Sequence, residues 1–81
     1  MDPKVNLAIN EIQGLLTNIM TNTTLNQSEK DSFLSTYSSR LQSDIDSFMS
    51  SIKSQTDSFI SSLNSLRDEI SSGSSSITAA S

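Results

Sequence analysis

The chain has 81 residues, a net charge of −4 and no Cys, His or Trp. This length predicts one small domain, and the absence of Cys excludes disulfides and thiolate metal sites. The five basic residues are spread singly along the chain, which argues against binding to nucleic acid. Serine supplies 20 of the residues, but the regular spacing of the apolar residues favours folded helix over disorder.

A first helix is predicted over about 3–21. Asp2 followed by Pro3 is typical of a helix start, because a carboxylate can cap the first free N–H groups and proline fits the first helical position. The apolar residues that follow recur at intervals of three and four, which places them on one helix face. They are Val5, Ile9, Ile12, Leu16 and Ile19.

A turn is predicted over 22–27. The residues at 21–24 are Thr or Asn, whose side chains compete with helical hydrogen bonds or crowd the backbone. Asn26 with Glu29 three residues later has the spacing of a capping box, and apolar Leu25 precedes it. Because the connection is short, we expect the helices on its two sides to lie antiparallel.

A second, long helix is predicted over about 27–72. No Gly or Pro occurs between residues 28 and 72, and an apolar stripe runs from Leu34 to Ile70 at intervals of three and four. Such a helix would be roughly 65 Å long. The alternative is a three-helix bundle with a break near 53–57, where Ser54 or Asp57 could cap a new helix. The Gly-Ser sequence from Gly73 ends the pattern, so a helical domain over 1–72 and a flexible Ser-rich tail over 73–81 are predicted.

The long helix contains a repeated phrase. Asp-Ser-Phe begins at Asp31, Asp46 and Asp57, so its copies are 15 and 11 residues apart. Eleven residues correspond to three turns at about 3.67 residues per turn, a hendecad repeat typical of helices packed straight or with a right-handed supercoil. The repeat therefore indicates a helix that packs along its whole length.

The predicted fold is an all-α antiparallel hairpin that packs as an oligomeric coiled coil or bundle. A short helix cannot cover a long one, and an uncovered apolar stripe of that size marks an interaction surface. We therefore expect a homo-oligomer. The residues predicted at its interface are Leu41, Ile45, Phe48, Ile52, Phe59, Leu63, Leu66 and Ile70.

A ladder of serines accompanies the stripe on the opposite side of the helix at the same intervals. It consists of Ser39, Ser43, Ser47, Ser50, Ser54, Ser58, Ser61 and Ser65. One interpretation is a solvated face of biased composition. The other is a second interface, because small side chains allow another helix to approach closely.

No catalytic, cofactor-binding or metal-binding residues are predicted. A serine nucleophile needs an adjacent base, and without His only a Lys such as Lys30 or Lys53 could serve. Both lysines lie in polar stretches, where we expect them to be solvated. The acidic pair Asp44 and Asp46 lies two residues apart and so does not share a helix face. We expect a protein that is not an enzyme.

We consider three functions in the light of these observations. The first is a structural or assembly protein that self-associates through its helices, as a small viral or appendage component would. The alternative is a helical binding module that caps or blocks another protein through an exposed apolar stripe. A membrane-surface helix is disfavoured because basic residues and Trp are few or absent. The first residues lack a signal-peptide pattern and no apolar run could span a bilayer, so the compartment is left open.

Overall fold

Three α-helices form the part of the chain that the computed structural model describes, residues 2–50 and 56–80. Helix α1 spans Pro3–Met20, α2 spans Gln27–Ser50 and α3 spans Thr56–Ala80. No strand occurs in these two ranges. The prediction of an all-α chain is therefore confirmed.

The first helix and the turn begin where the sequence predicts, for the predicted reasons. The Asp2 carboxylate accepts a hydrogen bond from the Lys4 N–H at 2.8 Å, with Pro3 at the first helical position. Asn26 Oδ1 accepts from the Glu29 N–H at 2.8 Å, and Asn26 Nδ2 donates to Glu29 Oε1 at 2.6 Å. The predicted N-cap at Asn26 is thus confirmed, and Glu29 binds the side-chain amide of Asn26 instead of the backbone N–H that a capping box would use.

Asn22 fixes the turn between α1 and α2. Its side-chain Oδ1 accepts hydrogen bonds from the Thr24 N–H at 2.7 Å, the Thr24 hydroxyl at 2.8 Å and the Leu25 N–H at 3.0 Å. Such local acceptors replace the helical partners that the turn removes. Leu25 is consequently held in a buried position, with 6% of its surface exposed.

The prediction of one unbroken helix over 27–72 is wrong, because two helices, α2 and α3, occupy this part of the chain. The ring of Phe48 in α2 stacks on Phe59 in α3, with centroids 4.3 Å apart. On one straight helix, residues 11 apart would be separated by roughly 16 Å along the axis. The molecule is also only 42 Å long, which is less than the roughly 65 Å that the long helix requires. The chain therefore reverses between Ser50 and Thr56, and the three-helix alternative describes it. Residues 53–55 of the predicted break lie outside the described residues.

The predicted flexible tail is helical in the structure. Helix α3 continues through Gly73 to Ala80, and Ile77 packs against the core. A Cβ built on Gly73 would lie 3.3 Å from Phe33 Cε2 and 3.4 Å from the Tyr37 hydroxyl oxygen. Glycine at this position therefore allows α2 and α3 to approach closely, and it does not end the helix.

The core consists of apolar side chains from all three helices. The residues buried there are Val5, Ala8, Ile12, Ile19, Leu25, Phe33, Leu41, Phe59, Leu63, Leu66 and Ile70. No polar or charged side chain is buried in the described part of the chain. Since α1 and α2 both pack on α3, the apolar stripe of α3 is covered within one chain.

Candidate interaction surfaces

The predicted interface residues lie in the core of the single chain. Leu63, Leu66 and Ile70 have no exposed surface, and Phe59 is 6% exposed. Leu41 is also buried, at 9% exposure, whereas Ile45 and Phe48 are partly exposed at the edge of the core. Ile52 lies outside the described residues. The structure thus brings seven of the eight together, between helices of the same chain, and their contact with a second copy stays a prediction.

Two core residues lie beside the regularly spaced positions of the predicted stripes, where neighbouring apolar residues widen the predicted faces. Phe33 belongs to the repeated phrase and precedes the long stripe, yet it is buried and its ring lies 4.7 Å from that of Tyr37. Ala8 is 2% exposed, and it shares the buried face of α1 with Val5 and Ile12. The interval of seven residues between Val5, Ile12 and Ile19 is the sequence signal for the centre of that face.

An ion pair joins α2 to α3 at the surface. Arg40 Nη2 lies 2.7 Å from Glu69 Oε2, and the two side chains are 45% and 55% exposed. The hydrogen bond to Glu69 raises the pKa of Arg40, and the same bond lowers the pKa of Glu69. Exposed pairs contribute little stability, but this one is specific to the observed register of the two helices.

A second cluster joins α3 to α1 along a shallow groove. Arg67 Nη1 lies 3.4 Å from both carboxylate oxygens of Glu11, and Arg67 Nη2 lies 3.1 Å from Asp68 Oδ1. The hydrogen bond with Asp68 and the charge of Glu11 raise the pKa of Arg67. Gly14 lines the same groove, and a Cβ there would meet nothing within 4 Å. The groove is therefore open at Gly14, which does not serve a close helix contact within the chain.

The serine ladder is exposed wherever the structure describes it. In α2, one outward face holds the ladder residues Ser39, Ser43, Ser47 and Ser50 together with Gln42 and Asp46. A hydrogen bond from Gln42 Nε2 to Asp46 Oδ1 at 2.8 Å joins the last two. In α3, the ladder residues Ser58, Ser61 and Ser65 are likewise exposed. Ser54 lies outside the described residues. Solvation of the ladder in one chain is compatible with both interpretations.

Large apolar side chains are exposed at both ends of the bundle. Leu7 and Met49 are 61% and 66% exposed, near the start of α1 and the end of α2. Met20 is 57% exposed at the end of α1, beside the turn. Isolated exposed apolar residues are normal on soluble proteins, so each alone carries no functional meaning.

The described residues contain few groups that could perform chemistry. No group of three or more His, Cys, Asp or Glu side chains in residues 2–50 and 56–80 could hold a metal ion. None of the helices in those ranges is both long and apolar enough to cross a membrane. No protein-family model matches the chain, and no curated protein or solved structure matches it significantly. The functional argument therefore depends on surfaces and packing.

Proposed function

We propose that this chain is a structural or assembly protein, without enzymatic activity, that acts by helix–helix self-association. The observation that carries the proposal is the eleven-residue repeat shared by α2 and α3. Its copies at Asp46 and Asp57 place Phe48 and Phe59 against each other. The two copies pack on each other within one chain, so the phrase is one that pairs helices, and a second molecule carries the same phrase. The assembly would be a homo-oligomeric coiled coil or bundle.

The outer surfaces support association between helices. Polar serines cover the outward face of α2, and their small side chains leave room for a neighbouring helix. The buried side chains of the described chain are all apolar. Polar chemistry is thus confined to the solvated surface, which favours a role in contacts over a role in catalysis.

A binding module that caps or blocks another protein is the second candidate. Such a module would use exposed apolar side chains such as Leu7 and Met49 as anchors for its partner. The two candidates differ in what the pure protein does. A structural protein associates with itself as its concentration rises, whereas a capping module stays monomeric until its partner is added.

Molecular mass measured by light scattering or sedimentation over a wide concentration series tests the proposal. We expect the mass to rise from that of one chain, 8.8 kDa, to that of a defined oligomer. A mass of one chain at every concentration up to the millimolar range would contradict self-association and leave the capping module.

Lysine substitutions then locate the contact surface. One variant carries Ser39→Lys, Ser43→Lys and Ser47→Lys on α2, and its control carries the same charges at Ser58, Ser61 and Ser65 on α3. Both should fold, because all six serines are exposed. Loss of the oligomer in one variant alone would identify that face as an interface, since an unpaired buried charge is costly. An oligomer retained in both would show that the ladder stays solvated and that assembly uses another surface.

A further inference from the structure

We propose that two copies of this chain pair antiparallel along α1, with Leu7 of each copy seated in the groove beside Gly14 of the other. The inference rests on the proposed self-association and gives it a surface and a partner, a second copy of the same chain. The surface, called here the α1 face, consists of Leu7, Gly14 and the groove that Gly14 lines.

The groove beside Gly14 has room for an apolar side chain. It lies between α1 and α3 with a volume of about 470 Å³, and apolar Leu15 is part of its lining. A Cβ built on Gly14 would meet no atom within 4 Å, so the backbone of α1 is uncovered at this point. Glycine inside a helix costs stability relative to alanine, and here that cost brings no closer contact within the chain. The space is open to a side chain from another molecule.

Leu7 is an apolar side chain that is available to fill such a space. It is 61% exposed, and it lies seven residues before Gly14 on the same helix. Seven residues are almost two full turns, so the two positions lie on one line along α1, about 10 Å apart along its axis. Side chains on a helix also tilt towards its start, which directs Leu7 away from Gly14 of its own chain. Leu7 therefore cannot fill the groove of its own chain, whereas the Leu7 of a second copy can.

A two-fold axis forms both contacts at once. When two α1 helices lie antiparallel with the axis between residues 10 and 11, residue 7 of each copy lies opposite residue 14 of the other. The absence of a side chain at Gly14 lets the two backbones approach closely, as small residues do where helices cross. In this orientation the tilt of Leu7 directs it from Gly14 of the other copy towards Asn18, which also lines the groove. The α1 face is thus complementary in shape to itself.

The charges of the two parts of the α1 face also favour the pairing. Lys4 lies one turn before Leu7, whereas the groove carries the carboxylates of Glu11 and Asp68 with one guanidinium, a net charge of −1. The Asp2 carboxylate binds the Lys4 N–H at the helix end and lies about 140° around the helix from Leu7. A basic segment that approaches an acidic groove is attracted to it. This attraction counters the general repulsion between two copies of a chain with a net charge of −4.

The extent of the contact predicts a weak dimer. Each copy contributes one face of an 18-residue helix and the adjoining edge of α3. An interface of one helix per copy is smaller than the standard interface of stable complexes. We therefore expect a monomer in dilute solution and a dimer fraction that rises with concentration.

Two substitutions at the contacting positions test the pairing. Leu7→Ala removes the inserted side chain and Gly14→Leu fills the groove from its own chain, so each alone should weaken the dimer by about tenfold for each of its two symmetric contacts. Both variants should fold, because both positions are exposed. In a mixed dimer of the two variants one contact is unaltered, and in the other the leucine at position 14 faces the alanine at position 7. We therefore expect an equimolar mixture to regain nearly the dissociation constant of the unaltered chain. Sedimentation measures this constant, and native mass spectrometry identifies the mixed dimer by its mass.

Met49→Ala is the matched control, because Met49 is 66% exposed on α2 and lies outside the α1 face. Its dissociation constant should equal that of the unaltered chain. A dimer that is unchanged in both Leu7→Ala and Gly14→Leu would overturn the α1 face as the contact and leave self-association intact. A mixture that does not regain the dimer would overturn the pairing of position 7 with position 14. A chain that forms no dimer at any concentration would overturn both this inference and self-association.

Cross-linking beside the two-fold axis tests the register while Leu7 and Gly14 stay unaltered. The chain has no native Cys, so Asn10→Cys introduces one exposed thiol per copy, within one residue of the proposed axis. A short bismaleimide should therefore join two copies, and mass spectrometry after denaturation should show a covalent dimer. Ser47→Cys, on the outward face of α2, is the control and should give only the background of random collisions. Equal linkage in the two variants would contradict the antiparallel pairing along α1.

Discussion

Alanine substitution of the two glycines tests whether α3 packs on α2 as far as its last turns. Both glycines lie inside helices with ordinary negative φ angles, so alanine can adopt either backbone conformation. Glycine in a helix interior costs about 1 kcal/mol relative to alanine. If propensity alone mattered, Gly14→Ala and Gly73→Ala would stabilise the protein equally.

The surroundings of the two positions predict different outcomes. A Cβ on Gly14 meets no atom within 4 Å, so Gly14→Ala should raise the free energy of unfolding by about 1 kcal/mol. For a domain of this size, the midpoint of thermal unfolding should then rise by about 4–8 °C. A Cβ on Gly73 meets Phe33 Cε2 at 3.3 Å and the Tyr37 hydroxyl oxygen at 3.4 Å. Overpacking typically costs about 1–3 kcal/mol, so Gly73→Ala should be neutral or destabilising by up to about 2 kcal/mol.

Thermal and urea unfolding followed by circular dichroism measures both effects. Leucine at the same two positions should give a larger difference in stability. The side chain of Gly14→Leu enters an open groove, whereas that of Gly73→Leu must displace two aromatic rings. Ser72→Ala, at an exposed neighbour of Gly73, controls for helix propensity in the same turn. Equal stabilisation by Gly14→Ala and Gly73→Ala would refute the packing of Gly73 against α2 and support the flexible tail predicted over 73–81.

Three further substitutions test the core, the ion pair and the turn. Phe59→Ala removes a buried ring and should cost about 3–5 kcal/mol in chemical unfolding, whereas the exposed Ser58→Ala should be nearly neutral, and equal effects would contradict the placement. The pKa of Glu69 is lowered from 4.5 by Arg40, so this pair stabilises the fold above about pH 4.5 and ceases to do so as the pH falls through the lowered pKa. Glu69→Gln should flatten that part of the pH–stability curve, and an unchanged curve would show that the pair does not persist in solution. Asn22→Ala should cost about 1–3 kcal/mol because the Leu25 N–H loses its acceptor, and Asn22→Asp should restore most of the loss.

Local sequence signals predict the start of a helix well where a residue pattern has one common structural role. The caps at Asp2 and Asn26 are confirmed because few other arrangements explain a carboxylate before proline or an Asn three residues before Glu. The prediction that the helix ends at Gly73 is wrong because glycine has two structural roles. It commonly ends helices, but it also permits close approach of packed elements, and only the positions of Phe33 and Tyr37 distinguish these uses.

The reversal of the chain between α2 and α3 could not be predicted from the stripe. An apolar stripe in one phase specifies which face is buried, but it does not specify whether the covering helix comes from the same chain. For the candidate interface the same limit applies. The spacing of Phe59, Leu63 and Leu66 predicts that they pack against other helices, and the structure shows them covered by helices of their own chain.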